Sequence, residues 1–229
     1  ASIGGKVAVN LGATKNIVGA FHQPTSVLIG TRTLATLPAR ERRGGLAEVV
    51  KYAMIADAPF FRSLEAAGAA LLRPHASRDV DIVARCARLK AGVVEADEKE
   101  SGPRAMLNFG HTIGHVLEAG SRYRWSHGEA VALGMLVACR LAELSGISKA
   151  TPRRRLTELL RQWRLPVRVP APLPWSRVWA MLQRDKKSLH GTPRFVLTPQ
   201  IGRVDIGCAV NPEAIREALQ IIQPGQSVR

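Results

Sequence analysis

Helical periodicity dominates the middle of this 229-residue chain and limits the folds open to it. Between residues 39 and 56, apolar side chains recur three and four positions apart, at Leu46, Val49, Val50 and Ala53. This spacing places them on one face of an α-helix. The same pattern, interrupted by proline and glycine, predicts further helices over about 59–72, 77–98, 104–119, 127–145, 151–164, 176–186 and 212–222. The chain is therefore expected to be mainly α-helical.

Strand patterns are confined to the two ends of the chain. The run from Ser26 to Gly30 is short, apolar and β-branched, which predicts a buried strand. Residues 194–198 and 203–206 predict a small β-hairpin near the C-terminus. We therefore expect a short α/β remnant over residues 1–38 and a helical domain over residues 39–229.

Composition excludes several classes of protein. Lys and Arg number 33 against 18 Asp and Glu, a formal net charge of +15, which favours anionic partners such as nucleic acid, an acidic membrane surface or a small anionic substrate. No apolar run approaches the ~20 residues that span a bilayer. The cysteines Cys86, Cys139 and Cys208 are widely scattered, which excludes a thiolate metal site and suits a cytoplasmic protein.

Histidines are the most informative side chains. His111 and His115 lie four residues apart, so both imidazoles project from one helix face, and His127 begins the next predicted helix. Imidazole suits zinc and its neighbours, and a catalytic site usually takes three nitrogen or oxygen ligands plus an open position. Spacing alone does not decide which histidines bind a metal. Helix histidines satisfied by backbone carbonyls or solvent would give the same pattern.

A carboxylate and an ammonium interrupt the apolar face of the helix predicted over residues 39–56. Glu48 and Lys51 lie three residues apart, and burying either group is costly unless it is paired or used. The two residues fit a plain helical ion pair. Glu48 equally suits the role of an oxygen ligand that completes a metal site with two histidines.

Further cations flank these segments. Lys90 and Arg104 bracket a charged run next to the histidine segment, and arginine is well shaped for bidentate contact with a carboxylate. The segment Gly4–Lys6, with Lys15 and Asn16, combines glycines with cations. Such a combination lets backbone amides and an ammonium approach a phosphate, although the GxxxxGK[ST] pattern is absent.

In combination, these segments resemble the 3-dehydroquinate synthase family of sugar phosphate cyclases. The resemblance runs in order from residue 1 to about residue 206, and its most specific parts are Gly45–Tyr52, Asn108–His115 and Ser126–Ala130. The other parts that carry it are Ser2–Lys6, Lys15-Asn16, Gly19–Phe21, Gln23-Pro24, Lys90, Ala96–Glu98 and Asp185–Lys187. It implies a carbon–oxygen lyase of the shikimate pathway that uses NAD and a metal. The family reaction converts 3-deoxy-D-arabino-heptulosonate 7-phosphate to 3-dehydroquinate and phosphate.

The resemblance also implies a role for each matching residue. Glu48, His111 and His127 match the ligands of Zn²⁺ or Co²⁺. His115 matches a non-ligand histidine that assists proton transfer near the substrate phosphate, and Lys51 matches a contact to a substrate hydroxyl. The remaining matches are carboxylate contacts at Lys90 and Arg104, phosphate contacts at Asn16, Asn108 and one of Lys186 and Lys187, phosphate or cofactor contacts at Lys6 and Lys15, and a position close to the site at Glu100.

One departure from the family concerns the nucleotide. Family members carry an N-terminal NAD-binding domain with a glycine-rich GGG-type motif, and this chain contains no such stretch. We therefore expect residues 1–38 to be a remnant of that domain. Either the gene product is truncated, or an upstream piece has been removed, or the chain is a metal-binding remnant without full turnover. Residues 1–229 alone should not bind NAD tightly, and micromolar binding in calorimetry would contradict this expectation.

The resemblance also bears on the partners of the chain. Phosphate binding in the family uses an arginine from the other subunit, which implies a homodimer. Related cyclases of the 2-epi-5-epi-valiolone or 2-deoxy-scyllo-inosose synthase type act on substrates without a carboxylate, so Lys90 and Arg104 favour the heptulosonate. The glycerol dehydrogenase group shares the architecture but gives no reason for so many phosphate-facing cations.

A non-catalytic basic protein is the alternative from a different class. The arginines at 153–155, with Arg161 and Arg164, form a basic helical face of the kind that attracts nucleic acid. Aromatic residues make up only 5% of the chain, and no recognised nucleic-acid motif is present. A solvated basic face therefore explains these residues better than nucleic-acid binding does.

Overall fold

Residues 2–11, 14–121, 124–183 and 193–224 are described by the computed structural model of the chain. Contacts divide the chain into two units, one of residues 1–36 with 75–105 and one of residues 37–74 with 106–229. The sequence did not predict that residues 75–105 belong with the N-terminal segment.

Helices predominate in the described residues, which confirms the mainly α-helical prediction. The α-helices there are α1 (Ala39–Ala56), α2 (Ala58–Ala67), α3 (Ala76–Ala96), α4 (His111–Gly120), α5 (His127–Leu144), α6 (Thr151–Gln162), α7 (Trp175–Gln183) and α8 (Pro212–Leu219). Short 3₁₀ helices span Thr31–Thr36, Gly68–Leu72, Pro103–Asn108 and Gln220–Ile222. The strands are β1 (Lys6–Leu11), β2 (Thr14–Phe21), β3 (Arg194–Gln200) and β4 (Arg203–Ala209). None of the described helices is long and apolar enough to cross a bilayer.

The smaller unit holds the first hairpin and α3. β1 and β2 pair antiparallel, with Lys6 opposite Phe21 and Val9 opposite Val18. The 3₁₀ helix Thr31–Thr36 contacts α3 within the same unit.

α5 forms the centre of the larger unit. Most of its residues from Gly128 to Ala142 are buried, as expected for a helix that is apolar on nearly all sides. It contacts α1, α4, α6, α8 and β3. The β3–β4 hairpin is antiparallel and turns at Gly202, which confirms the hairpin predicted near the C-terminus.

The start of α5 is fixed by a capping box and an ion pair. The Ser126 hydroxyl accepts a hydrogen bond from the Glu129 N–H, and the Glu129 carboxylate accepts one from the Ser126 N–H. This reciprocal arrangement satisfies two otherwise unpaired donors at the helix N-terminus. Arg40 of α1 donates two hydrogen bonds to the same carboxylate, at 3.0 and 2.6 Å. The N-terminal turns of α1 and α5 are thereby joined, next to His127.

Glycines let α5 approach its neighbours closely. A Cβ atom on Gly128 would lie 2.5 Å from the carbonyl carbon of Gly44 in α1, and one on Gly134 would lie 2.9 Å from the carbonyl carbon of Gly110. Both distances are shorter than the 3.0 Å that Cβ atoms keep from other atoms. Any side chain at these positions would therefore push α5 away from α1 or from the start of α4.

Two predicted elements differ from the structure. The strand predicted over residues 26–30 is wrong: these residues form no regular element, and Leu28 is 94% exposed. An apolar β-branched run becomes a strand only where another strand pairs with it, and no described strand pairs with this one. The helix predicted over residues 104–119 is interrupted before α4, because Gly110 adopts a left-handed conformation with φ of 77°.

Candidate metal centre

Three possible metal ligands converge from three helices of the larger unit. Glu48 lies in the middle of α1, His111 is the first residue of α4 and His127 is the first residue of α5. Their ligand atoms all lie within 4.8 Å of one another. Glu48 Oε1 is 3.7 Å from His111 Nε2 and 3.5 Å from His127 Nε2. Two ligands of a tetrahedral zinc ion lie about 3.4 Å apart, so these separations suit a shared cation.

The two oxygens of Glu48 have different surroundings. Oε2 accepts a hydrogen bond of 2.7 Å from the ammonium of Lys51, which is buried. Oε1 is buried and has no hydrogen-bond partner among the described residues. The Nε2 atoms of the two histidines lie 3.5 and 3.7 Å from it, which is too long for a good hydrogen bond. A cation between the three atoms would satisfy this buried carboxylate oxygen more fully. The residues present therefore fit a divalent metal.

The ionisation of Glu48 also suits a metal ligand. Burial by itself would raise the pKa of this carboxyl group. The His127 ring, the Lys51 ammonium and the His111 ring outweigh burial and hold the pKa well below its usual range. Glu48 is therefore a carboxylate at neutral pH.

Hydrogen bonds to Nδ1 fix the tautomer of both histidines. His111 Nδ1 lies 3.1 Å from the carbonyl oxygen of Phe109, and His127 Nδ1 lies 3.3 Å from Oε2 of Glu118. Because an ionised carboxylate and a carbonyl only accept, each Nδ1 is the donor. In the neutral ring, Nε2 then keeps its lone pair and faces Glu48. Metal-binding histidines usually have this arrangement, with the second nitrogen donating to a carboxylate or a carbonyl.

The two histidines hold protons very differently. Burial, and then the charge of Lys51, lower the pKa of His111 to about 3, so this ring is neutral at pH 7. Glu118, and then Glu48, raise the pKa of His127 to about 9. The metal-free chain therefore carries a proton on His127 at neutral pH, and a bound metal must displace it.

His115 and Asn108 lie on either side of His111, the candidate ligand at which α4 begins. His115 is exposed one turn after His111, and its ring centre is 5.5 Å from that of His111 and 6.4 Å from that of His127. Asn108 is half-buried at the end of the 3₁₀ helix before α4. The structure thus brings His115 beside the three ligand residues, and its predicted part in proton transfer stays a prediction.

Sequence reasoning missed Glu118. This residue is buried on α4, seven positions after His111 and three after His115. Residues at these spacings share one helix face, so the two histidines and Glu118 form a single polar stripe. That stripe is visible in the sequence and would have indicated a carboxylate behind the histidines.

In the smaller unit, two predicted substrate contacts are engaged locally. Lys6 forms an ion pair with Glu100. Arg104 is buried, and its guanidinium donates to the carbonyl of Gly4 at 2.8 Å and to the carbonyl of Glu98. Both cations are therefore held in defined positions within this unit.

The other predicted contacts are less fully described. Lys90 is half-buried on α3, and the backbone of Lys15 and Asn16 belongs to β2. Lys186 and Lys187 lie outside the described residues.

The basic face of α6 is partly neutralised by ion pairs. Arg153 Nε lies 2.7 Å from a carboxylate oxygen of Glu143, and Arg155 Nε lies 2.8 Å from one of Glu65. Two of the arginines that suggested a nucleic-acid interface therefore stabilise contacts within the unit.

Solved structures with the same fold belong to metal- and NAD-containing synthases. The 2-epi-5-epi-valiolone synthase ValA from Streptomyces hygroscopicus subsp. jinggangensis 5008, with NAD⁺ and Zn²⁺ bound, matches with a TM-score of 0.86 and 29% identity, over 96% of this chain and 62% of that one. A 2-deoxy-scyllo-inosose synthase complexed with carbaglucose-6-phosphate, NAD⁺ and Co²⁺ matches with a TM-score of 0.84 and 23% identity, over 96% of this chain and 62% of that one. The second match supports the fold alone.

Sequence comparisons define the family. The family model for the C-terminal part of 3-dehydroquinate synthase matches residues 45–188, and that for the N-terminal part matches residues 1–44. The 3-dehydroquinate synthase of Vibrio atlanticus (strain LGP32) is 42% identical over 219 residues, which are 95% of this chain and 60% of that protein. The chain belongs to the 3-dehydroquinate synthase family, and it spans about 60% of the length of this curated relative.

Proposed function

We propose that the chain supplies the metal- and substrate-binding part of a 3-dehydroquinate synthase. The reaction is the conversion of 3-deoxy-D-arabino-heptulosonate 7-phosphate to 3-dehydroquinate and phosphate, with NAD and Zn²⁺ or Co²⁺ as cofactors. The observation that carries the proposal is the buried Oε1 of Glu48, which has no hydrogen-bond partner among the described residues and lies 3.5 and 3.7 Å from two imidazole nitrogens. The 42% identity to a 3-dehydroquinate synthase supports this choice of reaction.

The residues around the metal centre fit this chemistry. When bound, a divalent metal polarises a substrate hydroxyl and lowers its pKa, which prepares that carbon for oxidation. Lys51, held by Glu48 at 2.7 Å, keeps a buried positive charge beside the ligands and stabilises negative charge on a substrate oxygen. His115, exposed beside the ligands, exchanges protons with the substrate near its phosphate.

The remaining cations recognise the ends of the substrate. The substrate carries a carboxylate and a phosphate, and arginine and lysine bind both groups well. We assign the carboxylate to Lys90 and Arg104, and the phosphate to Lys6, Asn16, Asn108 and one of Lys186 and Lys187.

We also propose that the protein acts as a homodimer in the cytoplasm. The family resemblance supports the dimer, because family members complete their phosphate site with an arginine from the second subunit. None of the three cysteines, all within the described residues, forms a disulfide, which suits a reducing compartment. Sedimentation velocity at several protein concentrations tests the dimer.

Product analysis tests the reaction. Because residues 1–229 are not expected to bind NAD tightly, the purified chain is incubated with NAD⁺ far above micromolar concentration and with Zn²⁺ or Co²⁺. The heptulosonate 7-phosphate, sedoheptulose 7-phosphate and glucose 6-phosphate are each tested separately. Dehydroquinate and phosphate from the first substrate, lost in His111→Ala, are the expected result. Turnover of a sugar phosphate without a carboxylate would instead assign the chain to the cyclitol-forming group that includes ValA. No turnover of any of the three would contradict catalysis by this chain.

A further inference from the structure

We propose that Glu118 is a positioning residue that fixes the ring of His127 for metal binding. The inference rests on the metal centre of the proposed function. Glu118 Oε2 lies 3.3 Å from His127 Nδ1, and only 8% of the Glu118 side chain is exposed. The contact joins the last turn of α4 to the first residue of α5.

The location of Glu118 is unfavourable for local stability. A carboxylate near the C-terminal end of a helix faces the negative end of the helix dipole. Burying that carboxylate adds a desolvation cost, which a hydrogen-bonding partner offsets only in part. Glu118 therefore carries two costs, its unfavourable position in the helix dipole and its burial, and it contacts a candidate ligand. This combination indicates a role in the site itself.

His127 has a greater need of such support than His111 has. The side chain of His127 is 48% exposed, whereas that of His111 is 12% exposed. Neighbouring atoms therefore restrict the ring of His111, while the exposed ring of His127 is free to turn about its χ2 torsion unless a hydrogen bond holds it. The capping box at Ser126 places the backbone of His127, and Glu118 places its ring.

The hydrogen bond from His127 to Glu118 fixes both the orientation of the His127 ring and the ring nitrogen that carries the proton. With Nδ1–H donating to Glu118, Nε2 faces Glu48 Oε1 at 3.5 Å and keeps the lone pair that a metal requires. A ring that rotates or changes tautomer loses this alignment. Outer partners of metal-bound histidines typically contribute about 10–100-fold in metal affinity.

Zinc titrations of three variants test the proposal. Zn²⁺ affinity is measured by competition with a chromophoric chelator, and the Co²⁺ absorption spectrum reports ligand geometry. Glu118→Met, which keeps the size and removes the acceptor, should lose about 10–100-fold in Zn²⁺ affinity and change the Co²⁺ spectrum. Glu118→Gln keeps an amide oxygen as an acceptor, so its loss should be smaller.

Glu143→Gln is the matched control. Glu143 is also 8% exposed at its side chain, and it pairs with Arg140 and Arg153. It lies sixteen residues after His127 on α5, which is about 24 Å along the helix. We expect this variant to lose stability but to keep the Zn²⁺ affinity of the unsubstituted chain.

The outcomes separate the proposal from the metal site on which it rests. Zn²⁺ affinity of Glu118→Met within twofold of the unsubstituted chain would overturn the role of Glu118 alone. Failure of the unsubstituted chain to bind Zn²⁺ or Co²⁺ would overturn the metal site as well. If Glu118→Met does not fold, the ¹⁵N-imidazole spectrum of zinc-loaded Glu118→Gln decides. We expect its His127 Nδ1–H to exchange faster with solvent, and unchanged exchange would contradict the proposal.

Discussion

Replacing Gly128 with alanine tests how the metal centre is positioned. Gly128 follows His127 at the start of α5, and it lies against Gly44, one helical turn before Glu48 on α1. The Cβ atom of an alanine would lie 2.5 Å from the carbonyl carbon of Gly44. The clashing atoms are backbone atoms, which cannot rotate away. α1 and α5 must therefore move apart at the point where they hold two of the three candidate ligands.

The size of this movement follows from ordinary contact distances. Cβ atoms essentially never approach other atoms more closely than 3.0 Å, and ordinary contacts begin at 3.4 Å. Measured from the carbonyl carbon, the helices must therefore separate by at least roughly 0.5–0.9 Å, because the carbonyl oxygen and Cα of Gly44 lie closer still. Metal–ligand distances tolerate only about 0.2 Å. Overpacking of this kind typically costs about 1–3 kcal/mol. The metal-free chain can relax by separating the helices, but a bound metal requires the close approach. The strain therefore opposes metal binding, which corresponds to a loss of about 5–150-fold in affinity.

The assay measures two quantities for each variant, the Zn²⁺ affinity and the free energy of unfolding. Zn²⁺ competition with a chelator gives the affinity, and urea unfolding with and without Zn²⁺ gives the stability. Gly45→Ala is the control on α1, because no atom lies within 4 Å of a Cβ at that position. We expect it to stabilise the helix by about 0.5–1 kcal/mol and to leave Zn²⁺ affinity unchanged. Gly44→Ala should also be tolerated, since its Cβ would approach no atom closer than 3.7 Å.

The contrast between the variants is the critical result. If Gly128→Ala binds Zn²⁺ within twofold of the unsubstituted chain, the close approach of α1 and α5 does not set the ligand geometry. If Gly44→Ala weakens binding as much as Gly128→Ala does, the effect comes from the loss of glycine and not from the steric contact.

Three further predictions concern the ligands and the core. His111→Ala and His127→Ala should each lose stoichiometric Zn²⁺ in elemental analysis, whereas His115→Ala should retain it; loss of Zn²⁺ from His115→Ala alone would contradict the ligand assignment. Because the pKa of His127 is about 9 and that of His111 about 3 in the metal-free chain, Zn²⁺ displaces one proton, and its apparent affinity should rise about tenfold per pH unit from pH 7 to about 8.5. An affinity that is flat across this range would exclude the raised pKa of His127. Trp163 is fully buried and donates to the carbonyl of Gly68 at 2.9 Å, so Trp163→Phe should lower the free energy of unfolding in urea by about 1–3 kcal/mol, and an unchanged value would contradict this account.

The helices of the larger unit were predictable because their signals are local. α1 begins and ends where the apolar periodicity does, and α5 begins directly after Ser126, a residue type that caps helices. The strand predicted from Ser26 to Gly30 was wrong because its signal is not sufficient locally: a strand depends on a partner elsewhere in the chain. The β1–β2 hairpin was missed although Val7, Val9 and Leu11 alternate with polar or small residues.

The candidate site was predictable in its chemistry and not in its geometry. The spacing of His111 and His115 indicated only that they share a helix face, and the family resemblance implied that His111 is the ligand. The structure supplies the geometry, by placing His111 with His127 and Glu48. The choice of Nε2 as the ligand atom depends on hydrogen bonds to Nδ1 from outside the motif, and the backbone carbonyl of Phe109 carries no sequence signal.

The sequence by itself determined the helices, the caps and the kinds of ligand atom, because periodicity, capping and donor chemistry are properties of neighbouring residues. The tertiary structure alone decided that Glu48 reaches two histidines far from it in the chain, and that the oxygen not bound by Lys51 faces them without a hydrogen-bond partner among the described residues. The physical reason is packing. The distance between α1 and α5 is set where Gly128 meets Gly44, and neither residue reveals that contact until the helices are placed together.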